Sequence, residues 1–512
     1  MKKCLHGLLL LFIFWGGALP CFGSERIPVY TLSTGDSVYR QDTSIVINFN
    51  APREVLSTSV INGGYRHDLQ AVFNHDMKGA IGVTGANYSE YMQRVAGQLG
   101  LNPGRVTSMG TAASMDNVAI QSESYQSLTV TAIATGGVEG NGGRVGDPAS
   151  YFLPGKKPTP YKAGTINIML VIDADLPPGT MARALVTCTE AKTAALQELV
   201  AGSRFSTGLA TGSGTDQTMV ITNPGSPLYL EDAGKHAKLG ELVGRTVKQA
   251  VKEALLRQSG LSPQKQHSVL RRMNRFGITE DSLYQQYQEE YGTIDKQRFM
   301  AVLRQVDKEP ALVTGTSLYV HLLDQNQWQL LSPDELAQAG NDLLVLTAGK
   351  YQVLAPAVAT GELTADVRAW SALVVKLVAD RLDRMPAAAA LTPVISQQAM
   401  QSSADAFTET MLTGLNKDDY ASFAANLDQK MKSSLPEAQF RNLSQAIRQK
   451  LGDYVSKEPV STETRELFTI FTYKVKFAKE PAAVTVLTVL TEEADRLWVA
   501  GFWLDSPQLS SH

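Results

Sequence analysis

The chain has 512 residues, more than one ordinary domain holds, so two to four domains are expected. Its 44% hydrophobic and 19% charged content describes a globular protein and excludes a disordered one. A formal net charge of −3, with no basic stripe and no interleaved aromatics, excludes a nucleic-acid binder that works by neutralising phosphates.

Residues 1–24 read as a secretory signal peptide. Lys2 and Lys3 precede the apolar run CLHGLLLLFIFWGGAL, and PCFGSE supplies a small-residue exit. The run is shorter than the roughly 20 residues that a spanning helix needs. Pro20 stands where a lipidated Cys21 would need a small neighbour, so cleavage near Gly23 or Ser24 is expected. No later segment is long and apolar enough to cross a bilayer. The mature chain is therefore expected to be exported, periplasmic or extracellular. Loss of two signal lysines moves its net charge from −3 to −5. Cys188 alone remains, so no internal disulfide forms and a cysteine zinc site is excluded by count.

Residues 25–258 are rich in glycine, hydroxyl and β-branched residues, with strands and helices interleaved. REVLSTSVINGGY is a strand ending in a turn at Gly63-Gly64. SEYMQRVAGQL is a helix with Ser89 at its N-cap. SLTVTAIATGG and GTINIMLVIDADLPPG are strands, the second closed by Pro177-Pro178-Gly179. A helix follows from about Met181 to Val200. Its Met181, Ala184, Leu185, Cys188, Ala191, Ala195 and Leu199 recur at three- and four-residue spacing, which places them on one face. The glycine loop GLATGSGTD then leads into the strand TMVIT, and GELVGRTVKQAVKEALL is a closing helix. This order predicts a layered α/β or α+β domain. Residues 259–395 read as a mostly helical middle region ending in the linker-like RMPAAAALTPV. Residues 396–512 read as an α+β domain. A first helix carries Ala404, Phe407, Met411 and Leu415, two more helices follow, and three strands close the chain. In the first of these, Leu467, Phe471, Tyr473, Val475 and Phe477 share a face.

The glycine loop raises the main chemical question. A phosphate-binding P-loop precedes a helix and ends in Gly-Lys-Ser/Thr. This loop precedes a strand and has no lysine, which disfavours a nucleotide. Its exposed backbone N–H groups suit a carbonyl oxygen or an oxyanion; a plain turn is the alternative. Cys188 lies on the apolar stripe and reads as a buried small residue rather than a nucleophile. No G-x-S-x-G elbow is present. Glu190 and Lys192 point about 200° apart on their helix, so they cannot face one pocket together. No two histidines have the H-x-x-x-H spacing of a helical metal site. His75 in VFNHDM and His236 in GKHAKLGE lie in loop-like settings.

The stretches VLSTSVINGG, FNHD, TAIATGGVEGNGGRVGD, GTINI, TEAKTAAL, ATGSGTD and KHAKLGELVG occur in an order and spacing that resembles the adenosylcobinamide amidohydrolases of corrinoid salvage. The resemblance covers about residues 50–256. It implies hydrolysis of the amide that joins the corrin side chain to aminopropanol, with release of adenosylcobyric acid and 1-amino-2-propanol. The partner it implies is a corrinoid small molecule; the cobalt belongs to that substrate, and no protein-bound metal or other cofactor is called for. Capture of a corrinoid without cleavage, or hydrolysis of an unrelated amide, are the rivals. An amide cleavage needs oxyanion donors, a base and a proton source for the amine. Asp216, Glu190 or His75 are expected as base, Lys192 or His236 as proton donor or amide clamp, and Thr215 as a hydroxyl in the catalytic group. Asn62, Gly63, Gly64, Asn74, Thr211, Gly212, Ser213, Gly214 and His236 are expected to bind substrate.

Three departures from that family stand out. Ser213 replaces a threonine, GGVEGNGG replaces an Asn-Ala-rich stretch, and a signal precedes the domain. The last region resembles small NTF2-like α+β cones. Such cones hold pockets or pair as dimers, which leaves a homo-oligomer among the open partners.

Overall fold

The computed structural model describes residues 25–77, 83, 87–149 and 164–384. In the C-terminal part it describes 397–506 apart from 429–430, 433–434, 466–467, 482 and 494–495. The signal reading of residues 1–24, nearly all of the linker reading and Leu467 lie outside the described residues. The chain forms two compact units, Met1–Arg384 and Met385–His512.

In the first unit the strands are, in chain order, β1 (Arg26–Thr31), β2 (Ser37–Gln41), β3 (Ser44–Asn48), β4 (Glu54–Ser57), β5 (Gly64–Arg66), β6 (Ala71–Asp76), β7 (Val106–Thr111), β8 (Ala119–Tyr125), β9 (Leu128–Gly136), β10 (Gly142–Gly143), β11 (Ile166–Ile172), β12 (Gly212–Ser213) and β13 (Gln217–Thr222). The long helices among them are α1 (Tyr88–Gln98), α2 (Pro178–Glu198) and α3 (Lys238–Ser259). One sheet has the order β1-β2-β3-β6-β7 and a second the order β5-β4-β13-β11-β9-β8. Two pairs are parallel, β6 with β7 and β11 with β13. Each is joined by a crossover that contains a helix, α1 for the first and α2 for the second, as parallel strands require.

The layers follow from strand alternation. Ile168, Leu170 and Ile172 of β11 face α2 and α3, together with Val220 of β13. Met169, Val171, Met219 and Ile221 point the other way, into a core shared with Ile45, Ile47, Val72 and Met109 of the first sheet. Beyond that sheet, Phe73 and Val46 pack on Met92, Val95 and Ala96 of α1. The layering is therefore helix, sheet, sheet, helices. A strand buried on both faces must be apolar throughout, which is why INIMLVI shows no polar alternation beyond Asn167.

Helix α2 carries the expected stripe: Met181, Ala184, Cys188, Ala191 and Ala195 are buried. Pro178 starts the helix at a position where its missing N–H costs nothing. The N-cap of α1 is Asn87, one residue before the helix, so Ser89 lies inside the first turn and is not the cap.

Residues 260–384 belong to the same unit and are helical: α4 (Pro263–Gln266), α5 (Val269–Met273), α6 (Glu280–Tyr291), α7 (Lys296–Val306), α8 (Pro310–Gln327), α9 (Pro333–Lys350) and α10 (Leu363–Arg384). Their core centres on Trp370, stacked on Tyr319 at 4.4 Å and donating from Nε1 to Thr316 Oγ1 at 2.9 Å. This bundle is tied to the sheets. Gln266 Nε2 donates to Leu199 O at 2.6 Å, and Arg275 forms a bidentate pair with Asp324 at 2.6 Å while also donating to Thr207 O.

The second unit has α11 (Gln397–Lys417), α12 (Tyr420–Ala424) and α13 (Glu437–Leu451), then an antiparallel meander of β14 (Tyr454–Arg465), β15 (Phe468–Phe477), β16 (Val484–Glu493) and β17 (Arg496–Asp505). Phe471, Tyr473, Val475 and Phe477 are buried on one face. The sequence reading gave three strands; β14 is a fourth, at the sheet edge, where Pro459 is tolerated. No helix among the described residues is long and apolar enough to cross a membrane.

Candidate active site

The C-terminal ends of β6, β7 and β9 and the N-terminal ends of β11 and β13 meet at one end of the two sheets. Helix α2 starts beside the far end of β11 and runs back, so its last two turns reach this end. Lys192 sits there on the edge of the apolar stripe, and its side chain is only 11% exposed. An ammonium that deep is tolerated only with a counter-charge. Asp216 supplies it: Lys192 Nζ donates to Asp216 Oδ2 at 2.5 Å.

The glycine loop exists to hold this carboxylate. Asp216 Oδ1 accepts from Ile166 N at 2.8 Å and from Ser213 Oγ at 2.6 Å, and Oδ2 accepts from Ser213 N at 3.0 Å. Gly212 is required because a Cβ there would overlap Asp216 Oδ2 and stand 2.7 Å from Lys192 Nζ. The loop is braced from outside by β10, where Gly142 pairs with Ser213 and Gly143 with Gly212. Thr165 Oγ1 donates to Thr215 O at 2.8 Å, and Thr215 Oγ1 to Gly164 O at 3.2 Å. Thr211 joins the brace, with Oγ1 accepting from Val145 N and its carbonyl accepting from Thr193 Oγ1.

Beside the pair, the gap between the sheets ends in carboxamides. Asn167 Nδ2 donates to Asn74 Oδ1 at 2.8 Å and to Gly110 O at 3.0 Å, and Asn74 Nδ2 donates to Thr135 Oγ1 at 2.9 Å. Gln217 lies opposite Asn167 in the parallel register. The side-chain carbonyls of Asn141, Asn167 and Gln217 are buried with no partner among the described residues. Unpaired buried acceptors are costly, which marks this as a place where an incoming N–H or water would be welcome.

His75 lies on the other face of β6, under α1. Its Nδ1 is 2.9 Å from Ser44 Oγ and its Nε2 2.9 Å from Tyr91 Oη. Burial pushes its pKa below the ordinary 6.5, so it is neutral at pH 7.

Chemically, the arrangement offers an ammonium with one of its three N–H donors committed to Asp216, backbone and hydroxyl donors from the loop, and a row of amide groups. Residues 29–263 match the family model of adenosylcobinamide amidohydrolase. An uncharacterized protein of Methanocaldococcus jannaschii is 33% identical over 234 residues, which is 44% of this chain and 89% of that protein. The chain belongs to the adenosylcobinamide amidohydrolase family. Residues 408–493 match a second family, described as a protein of unknown function (DUF3887).

Within the amidohydrolase domain, the structure gathers Asn74, Lys192, Thr211, Gly212, Ser213, Gly214, Thr215 and Asp216 at the same sheet end. His75 is near it in sequence but turned to α1. The other expected site residues stand elsewhere. Glu190 is half exposed on the outer side of α2 and pairs with Lys235 at 2.6 Å, because the helical turn that buries Lys192 carries Glu190 outward. His236 is exposed just before α3, whose opposite end, at Ala254 and Leu255, packs on Gly136 of the site. Asn62 donates to Pro103 O and Val106 O, which ties it to the start of β7 rather than its end. It has a positive φ of 47°, and a Cβ on Gly63 would collide with Ser59 O, so Asn62, Gly63 and Gly64 build a tight turn. Cys188 is fully buried, and burial raises its thiol to about 12.

Asn167, Thr135, Gln217 and Asn141 escaped sequence reasoning. One signal was present: Asn167 is the sole polar residue in an otherwise apolar, doubly buried strand.

Proposed function

We propose that this chain hydrolyses the aminopropanol amide of adenosylcobinamide, giving adenosylcobyric acid and 1-amino-2-propanol. The observation that carries the reading is the buried Lys192–Asp216 pair under a glycine loop, in a domain of the amidohydrolase family. In this reading Lys192 points its two remaining N–H donors at the scissile carbonyl, where negative charge grows as water adds to carbon. Collapse of that adduct breaks the C–N bond: Lys192 passes a proton to the leaving nitrogen and, briefly neutral, takes one back from the oxygen that came from water. The water oxygen ends in the new carboxylate. Asp216 holds Lys192 in place by their 2.5 Å contact and is a positioning residue. The carboxamides of Asn74, Asn167 and Gln217 suit the amide side chains of a corrinoid, and the cobalt travels with that substrate. Export by residues 1–24, a role in salvage before uptake and an NTF2-like build for residues 396–512 complete the proposal.

One observation favours a second reading, capture without cleavage. All four lone-pair directions of Asp216 are filled by protein donors, and both His75 nitrogens are engaged. Neither is free to take a proton from water. Incubation with adenosylcobinamide decides between them. Release of adenosylcobyric acid that is lost in Lys192→Met supports hydrolysis, whereas tight binding with no product in the unaltered chain supports capture.

A further inference from the structure

The seam between the sheets and the helical bundle holds a cavity that the amide chemistry does not use. It has a volume of about 40 Å³ and is lined by Glu139, Gly202, Arg204, Gln266, Arg271 and Arg275, among others. Water needs roughly 10–15 Å³ of such space, so this one has room for about three waters or a single small ion.

Its walls are cationic. Arg204, Arg271 and Arg275 line it beside a single carboxylate, Glu139. Glu139 takes Lys265 at 2.8 Å and Arg271 at 3.3 Å, and Asp324 takes both terminal nitrogens of Arg275. Arg204 directs two of its five N–H donors at neutral acceptors, Glu139 O at 2.5 Å and Asn274 Oδ1 at 2.9 Å. The side chain of Arg275 is 3% exposed, and its buried Nε–H has no acceptor among the described residues. A buried guanidinium N–H without a partner is expensive, and an excess of positive charge in a half-closed space draws an anion.

We propose that this cavity binds a small inorganic oxyanion of the size of phosphate. Arg275 Nε, Arg204 and Arg271 donate to its oxygens, and Gln266 and Asn274 line the remaining wall. The site is placed to brace the loop. Glu139 belongs to the GGVEGNGG stretch, the Arg204 backbone N–H donates to Gly142 O at 2.9 Å, and Gly142 pairs with Ser213 beside Asp216. The bound ion thus joins the helical bundle to the outer brace of the glycine loop. Binding does not depend on the proposed amide chemistry.

The test is calorimetric titration of the full chain with inorganic phosphate, with chloride at equal ionic strength as the control and thermal unfolding as a second readout. One saturable site is expected, with an unfolding midpoint that rises with phosphate. Arg204→Gln and Arg271→Gln, both at accessible side chains, should each weaken phosphate about tenfold or more without loss of the fold. Glu139→Gln should bind it more tightly, because a competing carboxylate is gone. Glycerol 1-phosphate should bind at least tenfold more weakly than inorganic phosphate, since the cavity has no room for the glycerol. Absence of saturable heat, affinity unchanged in both arginine variants, or equal affinity for glycerol 1-phosphate would each overturn the proposal.

Discussion

Replacing Asp216 by Asn tests the pair at the centre of the site. The carboxylate accepts four hydrogen bonds, two on each oxygen. An amide keeps one oxygen, so whichever way it turns, two donors are left facing an NH₂ group. Either way the Lys192 ammonium is left buried without a counter-charge, and if the lost oxygen is Oδ2 it also faces that NH₂ group. Removing one partner of a buried ion pair costs about 3–5 kcal/mol. Both side chains here are nearly as buried as that figure assumes, at 11% and 12% exposure. Lys192→Met leaves Asp216 with its three other donors, so a smaller loss, about 1–3 kcal/mol, is expected. In the double variant no charge is stranded, and its loss should fall short of the sum of the single losses by about 2 kcal/mol. Urea unfolding followed by tryptophan fluorescence measures this in a background with Trp498 and Trp503 changed to Phe. In a chain starting at residue 25, which lacks Trp15, the signal then comes from Trp328 and Trp370 of the first unit. A loss below about 1 kcal/mol in Asp216→Asn, together with additive single effects, would show that the pair is not energetically coupled and would refute the reasoning.

Three further outcomes follow from the same geometry. Gly212→Ala drives a methyl group into the Lys192–Asp216 contact, so corrinoid turnover should fall at least as far as in Asp216→Asn; near-normal turnover would mean the loop can move aside. Asn167→Ala strands Asn74 Oδ1 and Gly110 O and should cost about 2–4 kcal/mol, read as a lower unfolding midpoint. Burial lowers the pKa of His75 in the folded chain, so the unfolded chain binds more protons as pH falls. Its contribution is intact above about 6.5 and is lost as pH drops from there toward the folded value. His75→Gln should therefore flatten the decline of stability below pH 6.5, measured by thermal unfolding at several pH values; an unchanged slope would remove His75 as its source.

The fold was legible where one periodicity decided the outcome. Helix α2 is written in its apolar stripe, and β11 in an apolar run that only a strand buried on both faces would carry. Strand β14 was hidden because an edge strand needs little apolar content, and YVSKEPVSTETR carries charges and a proline that read as a loop. The site was legible as a place and not as a set of partners. Spacing on α2 showed that Glu190 and Lys192 could not face one pocket. It could not say which of them turns inward, because the stripe's edge is apolar enough for a lysine stem and polar enough for solvent. Burial decided for Lys192, and the counter-charge came from a loop 24 residues away in sequence. The amide row was less visible still, since Asn74, Thr135, Asn167 and Gln217 come from four strands and only the sheet register brings them together. A lone asparagine in a doubly buried strand has nowhere to hide from the cost of its amide. It must be paired by the fold or by a ligand, and at Asn167 the fold pairs the nitrogen and leaves the oxygen open.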